Sequence, residues 1–323
     1  KWVMSFDLNS LYPHLIMQYN VSPETILTGI TQQCGIDNLL DKKIDLDKFY
    51  EKDITIAASG QAFRKDVQGF LPRLMQEKYD NRVIFKKKMI EAKKKLEKET
   101  DPKKIDKLQK EADSYGNRQL AMKLMLNSVY GAFGNPYFRF YDLRISEAIT
   151  LGGQLSIRWA ETTVNNYLNQ ILETKEVDYV LASDTDSLYI TLDALVKKVF
   201  PEDVETSKVI DFLDKVCEEK ITKIIDTGYA DLAKYMNAYD QKMYMKRECL
   251  ADKGIWTGKK HYILNVHDNE GVRYTNPRIK VMGIESVKSS TPTSCRDKLK
   301  KFFDIIINKD ETAIQEFIAD FRN

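Results

Sequence analysis

From Gly69 to Gly134 the chain carries two long helical patterns joined by one short break, and any fold it adopts has to accommodate that αα-hairpin. Leu71, Leu74, Met75, Tyr79, Val83 and Met89 recur at helical spacing. The pattern weakens at Thr100-Asp101-Pro102, where an acid followed by proline marks a turn and a new helix start. The second helix runs from about Lys103 through Leu108, Tyr115, Leu120, Leu124 and Val129, and Gly131 and Gly134 are expected to end it. Charge is concentrated on the same stretch. Between Arg64 and Lys123, 18 lysines and arginines outnumber 10 acids, although the whole chain is only +2. Lys78, Arg82 and Lys86 share one helix face, and Lys123, Asn127 and Tyr130 share another. A closed hairpin is expected to turn both faces toward one cleft, suited to a polyphosphate that arginine grips in bidentate fashion and lysine as a point charge. Lys93, Lys94, Lys95, Lys103 and Lys104, nearer the tip, read as a solvated face.

Outside the hairpin the signals are mixed. Trp2-Val3-Met4-Ser5-Phe6-Asp7-Leu8 alternates like a half-buried strand and starts at once, so we expect the chain to be a piece of something longer. Residues 30–66 support only short elements. Ile145–Leu172 predicts a long helix. Tyr179–Ala182 and Leu188–Ile190 flank Ser183-Asp184-Thr185-Asp186-Ser187, a hairpin with acids at its tip. A helical stretch is expected from about Val204 to Met236, then β-like runs at Lys242–Leu250, Lys260–His267 and Arg278–Ile284. Thr291-Pro292 offers a cap with proline in the first turn of a helical tail. The expected class is α+β: a sheet backed by helices, with a protruding helical hairpin. With 43% hydrophobic and 30% charged residues the composition is that of a globular protein. Four isolated cysteines and three scattered histidines offer no disulfide framework or zinc site. No apolar run is long enough for a membrane span, and no signal peptide is visible.

The acids carry the chemistry. Asp7 closes the first apolar strand, and Asp184 and Asp186 stand two apart at the hairpin tip, where alternation in an extended segment would aim both at one cation. Carboxylates without histidine or cysteine suit Mg²⁺, which keeps waters and takes substrate phosphates as further ligands. Two such ions clamp the attacking and leaving oxygens of an in-line displacement. Glu248 on a later strand is a candidate accessory acid. After Asp7, Leu8–Tyr12 leads into a helix start, whose unpaired backbone N–H groups bind phosphate.

These segments carry a family resemblance. SFDLNSLYP (Ser5–Pro13), KLMLNSVYGAFG (Lys123–Gly134) and SDTDSLY (Ser183–Tyr189) stand in the order of motifs A, B and C of family B DNA polymerases. WTGKKHY (Trp256–Tyr262) resembles the motif that follows them, and KVMGIESVKSSTP (Lys280–Pro292) the palm-to-thumb passage of T4-like bacteriophage enzymes. The resemblance implies a palm sheet at residues 1–66 and 135–290, inserted fingers at 67–134 and the start of a helical thumb at 291–323. It implies template-directed DNA synthesis, with nucleotidyl transfer of a dNTP to a primer 3′ end and release of pyrophosphate. Two Mg²⁺ ions, replaceable by Mn²⁺, would be held by Asp7, Asp186 and Leu8, with Asp184 as a weaker contributor and Glu248 nearby. Leu8, Ser10, Leu11, Tyr12, Arg82, Lys86, Lys123, Asn127 and Tyr130 would bind the dNTP. Tyr12 would be the steric gate that excludes a 2′-hydroxyl, and a smaller side chain there would admit ribonucleotides. Lys123 would also act as general acid toward pyrophosphate. Gly131, Lys259, Lys260 and Tyr262 would meet the primer–template.

The resemblance further implies a monomer, phage-encoded and working in the cytoplasm of a bacterial host, with primer–template DNA and dNTP as partners, a sliding clamp on the full-length protein and no membrane. The family's 3′→5′ exonuclease lies upstream of these motifs, so none is expected in this chain. The sequence departs from the family at His261, where arginine is usual, at Asn9, usually threonine, at His14, Met17 and Tyr19, and at Lys246, which replaces an acid. Two rivals stand beside this reading: a palm enzyme that makes or copies RNA, and a catalytically silent DNA-binding piece.

Overall fold

The computed structural model describes residues 1–96, 99–200, 204–284 and 288–322, the side chains of Lys94 and Arg322 aside. Part of the Lys280–Pro292 passage, residues 285–287, therefore lies outside the described residues. The chain opens with β1 (Val3–Leu8), α1 (Leu11–Gln18) and β2 (Ile26–Thr31). Short elements follow, α2 (Ile36–Leu40), α3 (Asp47–Tyr50), β3 (Ile54–Ile56) and β4 (Gln61–Arg64), then three long helices, α4 (Phe70–Leu96), α5 (Pro102–Phe133) and α6 (Leu143–Leu172). The hairpin β5 (Val180–Asp184) and β6 (Ser187–Thr191) leads to α7 (Asp193–Val199) and α8 (Thr206–Val216). A π-helical stretch, Cys217–Ile221, joins α8 to α9 (Thr222–Tyr235). Strands β7 (Met245–Gly258), β8 (His261–Asn269) and β9 (Val272–Met282) precede α10 (Thr293–Asn308) and α11 (Glu311–Arg322). The fold is α+β.

Two compact units emerge. The first gathers Lys1–Leu8, Ala160–Thr227 and Met245–Asn323. Its six-stranded sheet runs β5-β6-β1-β7-β8-β9, and every neighbouring pair is antiparallel. β1 is central and departs from the half-buried strand expected of its alternation. Val3, Met4, Ser5, Phe6 and Leu8 are all buried, because both faces of the sheet are covered there. Ser5 tolerates burial because its hydroxyl meets Glu248 Oε2 and Cys249 Sγ, each at 3.1 Å. Helix α10 backs one part of the sheet, packing Phe303 and Ile307 on Ile263. It starts at Thr293 with Pro292 as cap residue, one position later than expected. Strand β7 runs on to Gly258, past the end expected at Leu250, because β8 pairs with it residue by residue through two register shifts near Ala251.

The second unit comprises Asn9–Trp159 and Gly228–Tyr244. Its small sheet has the order β2-β4-β3. Helix α1 lies close to α6 because Gly152 and Gly153 stand at the crossing; an added Cβ would meet Leu15 at 3.2 Å and Leu11 at 3.3 Å respectively. Buried Asn20 fastens the end of α1 to the start of α4, donating to the carbonyls of Arg64 and Val67 and accepting from Gly69 N–H. The expected hairpin forms from α4 and α5. Phe85 stacks near Tyr115 at 6.4 Å between ring centres, with Arg118 over Phe85. Two details of α5 differ from expectation. Gly131 lies inside the helix, which ends at Phe133 with Gly134 as its cap. Leu120 and Leu124, placed on the apolar stripe, are 47% and 60% exposed, while Leu126 is buried. The stripe expected from spacing alone thus runs partly to solvent.

Candidate active site

In the first unit, long-range pairing brings the acids together. Asp7 stands opposite Ser187 on β6 and Lys246 on β7. Ser187 Oγ donates to Asp7 Oδ1 at 2.8 Å. The β5–β6 turn is Thr185-Asp186, with Thr185 in the left-handed region at φ 54°. Alternation does not hold across such a turn, so Asp184 and Asp186 are not the two same-face positions of one extended segment that their spacing suggested. Leu8 N–H donates to the Asp186 carbonyl at 2.8 Å, tying the turn to the end of β1. On β7 a register shift opposite Ser5 and Phe6 leaves Glu248 as the extra residue of a bulge. Its carboxylate pairs with Lys280 Nζ at 2.8 Å.

Crowding sets the electrostatics. Burial, with the charges of Asp186 and Glu248, pushes the Asp7 carboxyl from 3.8 up to about 6, against the Ser187 hydrogen bond and Lys280. Asp186 is raised too, by burial first and then by Asp184 and Glu248, with Lys260 opposing. Such a cluster is short of positive charge. Among the described residues no group of three or more His, Cys, Asp or Glu side chains forms a ready-made metal cage. The carboxylates of Asp7 and Asp186, each raised in part by neighbouring acids, are nonetheless hard oxygen donors of the kind that suit a magnesium ion completing its octahedron with water and substrate phosphate. The outer acids already have lysine partners: Asp184 lies 3.3 Å from Lys260, and Glu248 is held by Lys280.

In the second unit, Ser10 caps α1 with left-handed angles, φ 50° and ψ 62°, and makes no side-chain cap to the helix amides. Its hydroxyl instead accepts from Arg82 Nη1 at 3.0 Å. The Arg82 Nε is buried without a hydrogen-bond partner. Tyr12 lies against Tyr130, ring centres 4.6 Å apart and planes at 37°. Leu11 is buried, whereas Lys86, Lys123 and Asn127 are exposed. A Cβ at Gly131 would meet nothing within 4 Å, so packing inside the chain does not require glycine there.

Lys259 and Lys260 form the exposed turn between β7 and β8, with Lys260 at φ 63°. A side chain at Gly283, φ 69°, would collide with the Lys260 carbonyl, so this glycine lets β9 end against the turn. Tyr262 sits in the core, its hydroxyl 2.7 Å from that of Tyr189. The structure therefore draws together Asp7, Asp184, Asp186, Leu8 and Glu248 in one unit, and Ser10, Tyr12, Arg82 and Tyr130 in the other. Sequence reasoning assigned no role to Ser5, Ser187 or Lys280, although each stood inside a quoted motif.

No helix among the described residues is long and apolar enough to cross a membrane. The sequence profile of DNA polymerase family B matches residues 1–200, and that of the divergent family B DNA polymerases residues 163–318. The chain is 35% identical to the DNA-directed DNA polymerase of Escherichia phage RB69, in an alignment covering 96% of the chain and 39% of the relative. It is 32% identical to the DNA-directed DNA polymerase of Enterobacteria phage T4, covering 99% and 40%. A DNA polymerase beta of African swine fever virus is 27% identical over 89% of the chain and 24% of its own length. The chain thus spans about two fifths of the length of the phage relatives. Profile and relatives agree on one assignment: the chain belongs to DNA polymerase family B.

Proposed function

We propose that this chain is the polymerising part of a DNA-dependent DNA polymerase, in which a primer 3′-oxygen attacks the α-phosphorus of a dNTP and pyrophosphate leaves. The observation that carries the proposal is the pair Asp7, near the end of β1, and Asp186, in the β5–β6 turn whose carbonyl accepts from Leu8 N–H, each carboxyl held above the ordinary range. Two Mg²⁺ ions, or Mn²⁺, bound through Asp7, Asp186 and Leu8 would supply positive charge at the attacking and leaving oxygens. Ser187 orients Asp7 by donating to one oxygen, leaving the other free. Asp184 and Glu248 add negative field while their lysines limit it.

On the nucleotide side, the amides near Ser10 and Leu11 and the cations Arg82, Lys86 and Lys123 take the triphosphate. Lys123 would also give a proton to pyrophosphate. Tyr12, braced by Tyr130, is the sugar gate. Asn127 lines the base-pair pocket, and Gly131 leaves room for the pair to approach. Lys259 and Lys260 meet the duplex backbone, and Lys260 exchanges Asp184 for phosphate at little cost, because an exposed ion pair contributes about 0–1 kcal/mol. Residues 1–66 and 135–290 serve as palm, 67–134 as fingers and 291–323 as the start of the thumb. The place of work is a phage-infected bacterial cytoplasm, with a sliding clamp as a partner of the longer protein.

The test is primer extension at high enzyme concentration with Mg²⁺, comparing the chain with Asp186→Ala and measuring duplex binding by anisotropy. We expect a loss of at least about 100-fold in extension with duplex affinity retained. A folded chain that binds duplex yet extends no primer with either metal overturns the reading in favour of a DNA-binding piece.

A further inference from the structure

His14 is 6% exposed, on the first helix after the Asp7 strand, and has no place in the chemistry above. It lies four residues after Ser10, and two of its atoms converge on the Ser10 carbonyl: the backbone N–H at 3.2 Å and ring Nδ1 at 2.9 Å. A carbonyl only accepts, so the ring carries its proton on Nδ1. Ser10 has reason to be held twice. Its left-handed backbone, φ 50°, is strained for a residue other than glycine and persists only where the surroundings impose it.

The same ring presents its edge to Tyr79, with centres 4.5 Å apart and planes at 87°. Tyr79 precedes Arg82 by three residues on α4, so the two share a helix face. Arg82 returns to the Ser10 hydroxyl. The contacts therefore close a circuit: Ser10 carbonyl to His14, His14 to Tyr79, one helical turn to Arg82, and Arg82 to the Ser10 hydroxyl. Burial pushes the His14 pKa below the ordinary histidine range, helped by the charges of Lys242 and Arg82 and opposed by the Ser10 hydrogen bond and by Asp80. The ring is thus neutral at neutral pH and adds no charge beside Arg82.

We propose that His14 is a positioning residue for nucleotide binding: its Nδ1–H locks the Ser10 turn, whose hydroxyl holds Arg82, so that Ser10 and Arg82 are preorganised for the triphosphate. The proposal rests on the polymerase reading. It is tested by dNTP titration in primer extension with His14→Phe, which keeps a ring edge against Tyr79 without a donor, and His14→Asn, whose side-chain amide replaces Nδ1–H without the ring. We expect His14→Phe to raise KM for dNTP about tenfold, with kcat within about threefold and duplex affinity unchanged, and His14→Asn to restore most of the loss. KM within about twofold of wild type in His14→Phe, or a His14→Asn as impaired as His14→Phe, overturns the proposal while extension by the wild type upholds the polymerase reading. A wild-type chain that neither extends primer nor binds dNTP overturns both. If His14→Phe fails to fold by circular dichroism, His14→Asn decides alone: near-wild-type KM supports the hydrogen bond, and a tenfold rise rejects it.

Discussion

Asp7 carries an electrostatic cost to the fold. Its carboxyl is raised from 3.8 to about 6, so the folded state favours the protonated form. Ionised Asp7 therefore destabilises the fold in full above about pH 6, and the penalty fades as pH falls toward the unfolded value. Asp7→Asn keeps an acceptor for Ser187 and removes the repulsion. In metal-free buffer at pH 7.5 it should melt higher by roughly 1–3 °C, an effect of order 1 kcal/mol once solvent screening of a partly exposed carboxylate is allowed for. The gain should shrink toward pH 4.5 while polymerisation is lost throughout. Equal melting of the two proteins at both pH values would refute the electrostatic account. Metal binding would run the opposite way: it needs the ionised form and so should weaken as pH falls through 6.

Among the elements, α8 and the strands β7 and β8 are tied by a buried ion network. Arg247, on β7, pairs with Asp268 of β8 and Asp214 of α8, each at 2.7 Å, and the Arg247 and Asp268 side chains are only 6% and 3% exposed. Arg273 of β9 adds contacts to Asp268, Asp211 and Asp214. Breaking such a network from one side strands a buried charge, at about 3–5 kcal/mol. Arg247→Met should therefore lower unfolding stability in urea by roughly 3 kcal/mol, and adding Asp268→Leu should recover part of it. A loss under about 1 kcal/mol would mean that Arg273 alone compensates Asp268. This network keeps β7 in register, and β7 presents Glu248 on its bulge.

At the scale of the whole molecule, charge is placed rather than accumulated. A chain of net +2 puts an excess of eight positive charges between Arg64 and Lys123, leaving the remainder acidic. If duplex binding rests on phosphate contacts, the logarithm of affinity should fall linearly with the logarithm of salt concentration. We expect a drop of about tenfold or more between about 50 and 200 mM salt, read by anisotropy on primed duplex. A flat response would assign binding to apolar contacts instead. The chain passes between the two units four times, and the first is assembled from three separate segments. A truncation before Met245 would strip β7 from β1 and leave the Asp7 strand without one neighbour.

By itself the sequence determined the α+β class, the long helical hairpin, the acid-tipped turn and the order of the motifs. Each is written in short-range periodicity, turn chemistry or contiguous residues. Only the tertiary structure decided which partners those residues meet. Ser187 reaches Asp7, Lys280 neutralises Glu248, Lys260 meets Asp184, and β1 is covered on both faces although its alternation suggested one. Leu120 and Leu124, conversely, fit a buried stripe by spacing and lie exposed. The physical reason is common to all of these. A lysine or serine in a strand reads the same whether solvated or paired, and what distinguishes the cases is a neighbour brought in by strand pairing from a distant part of the chain.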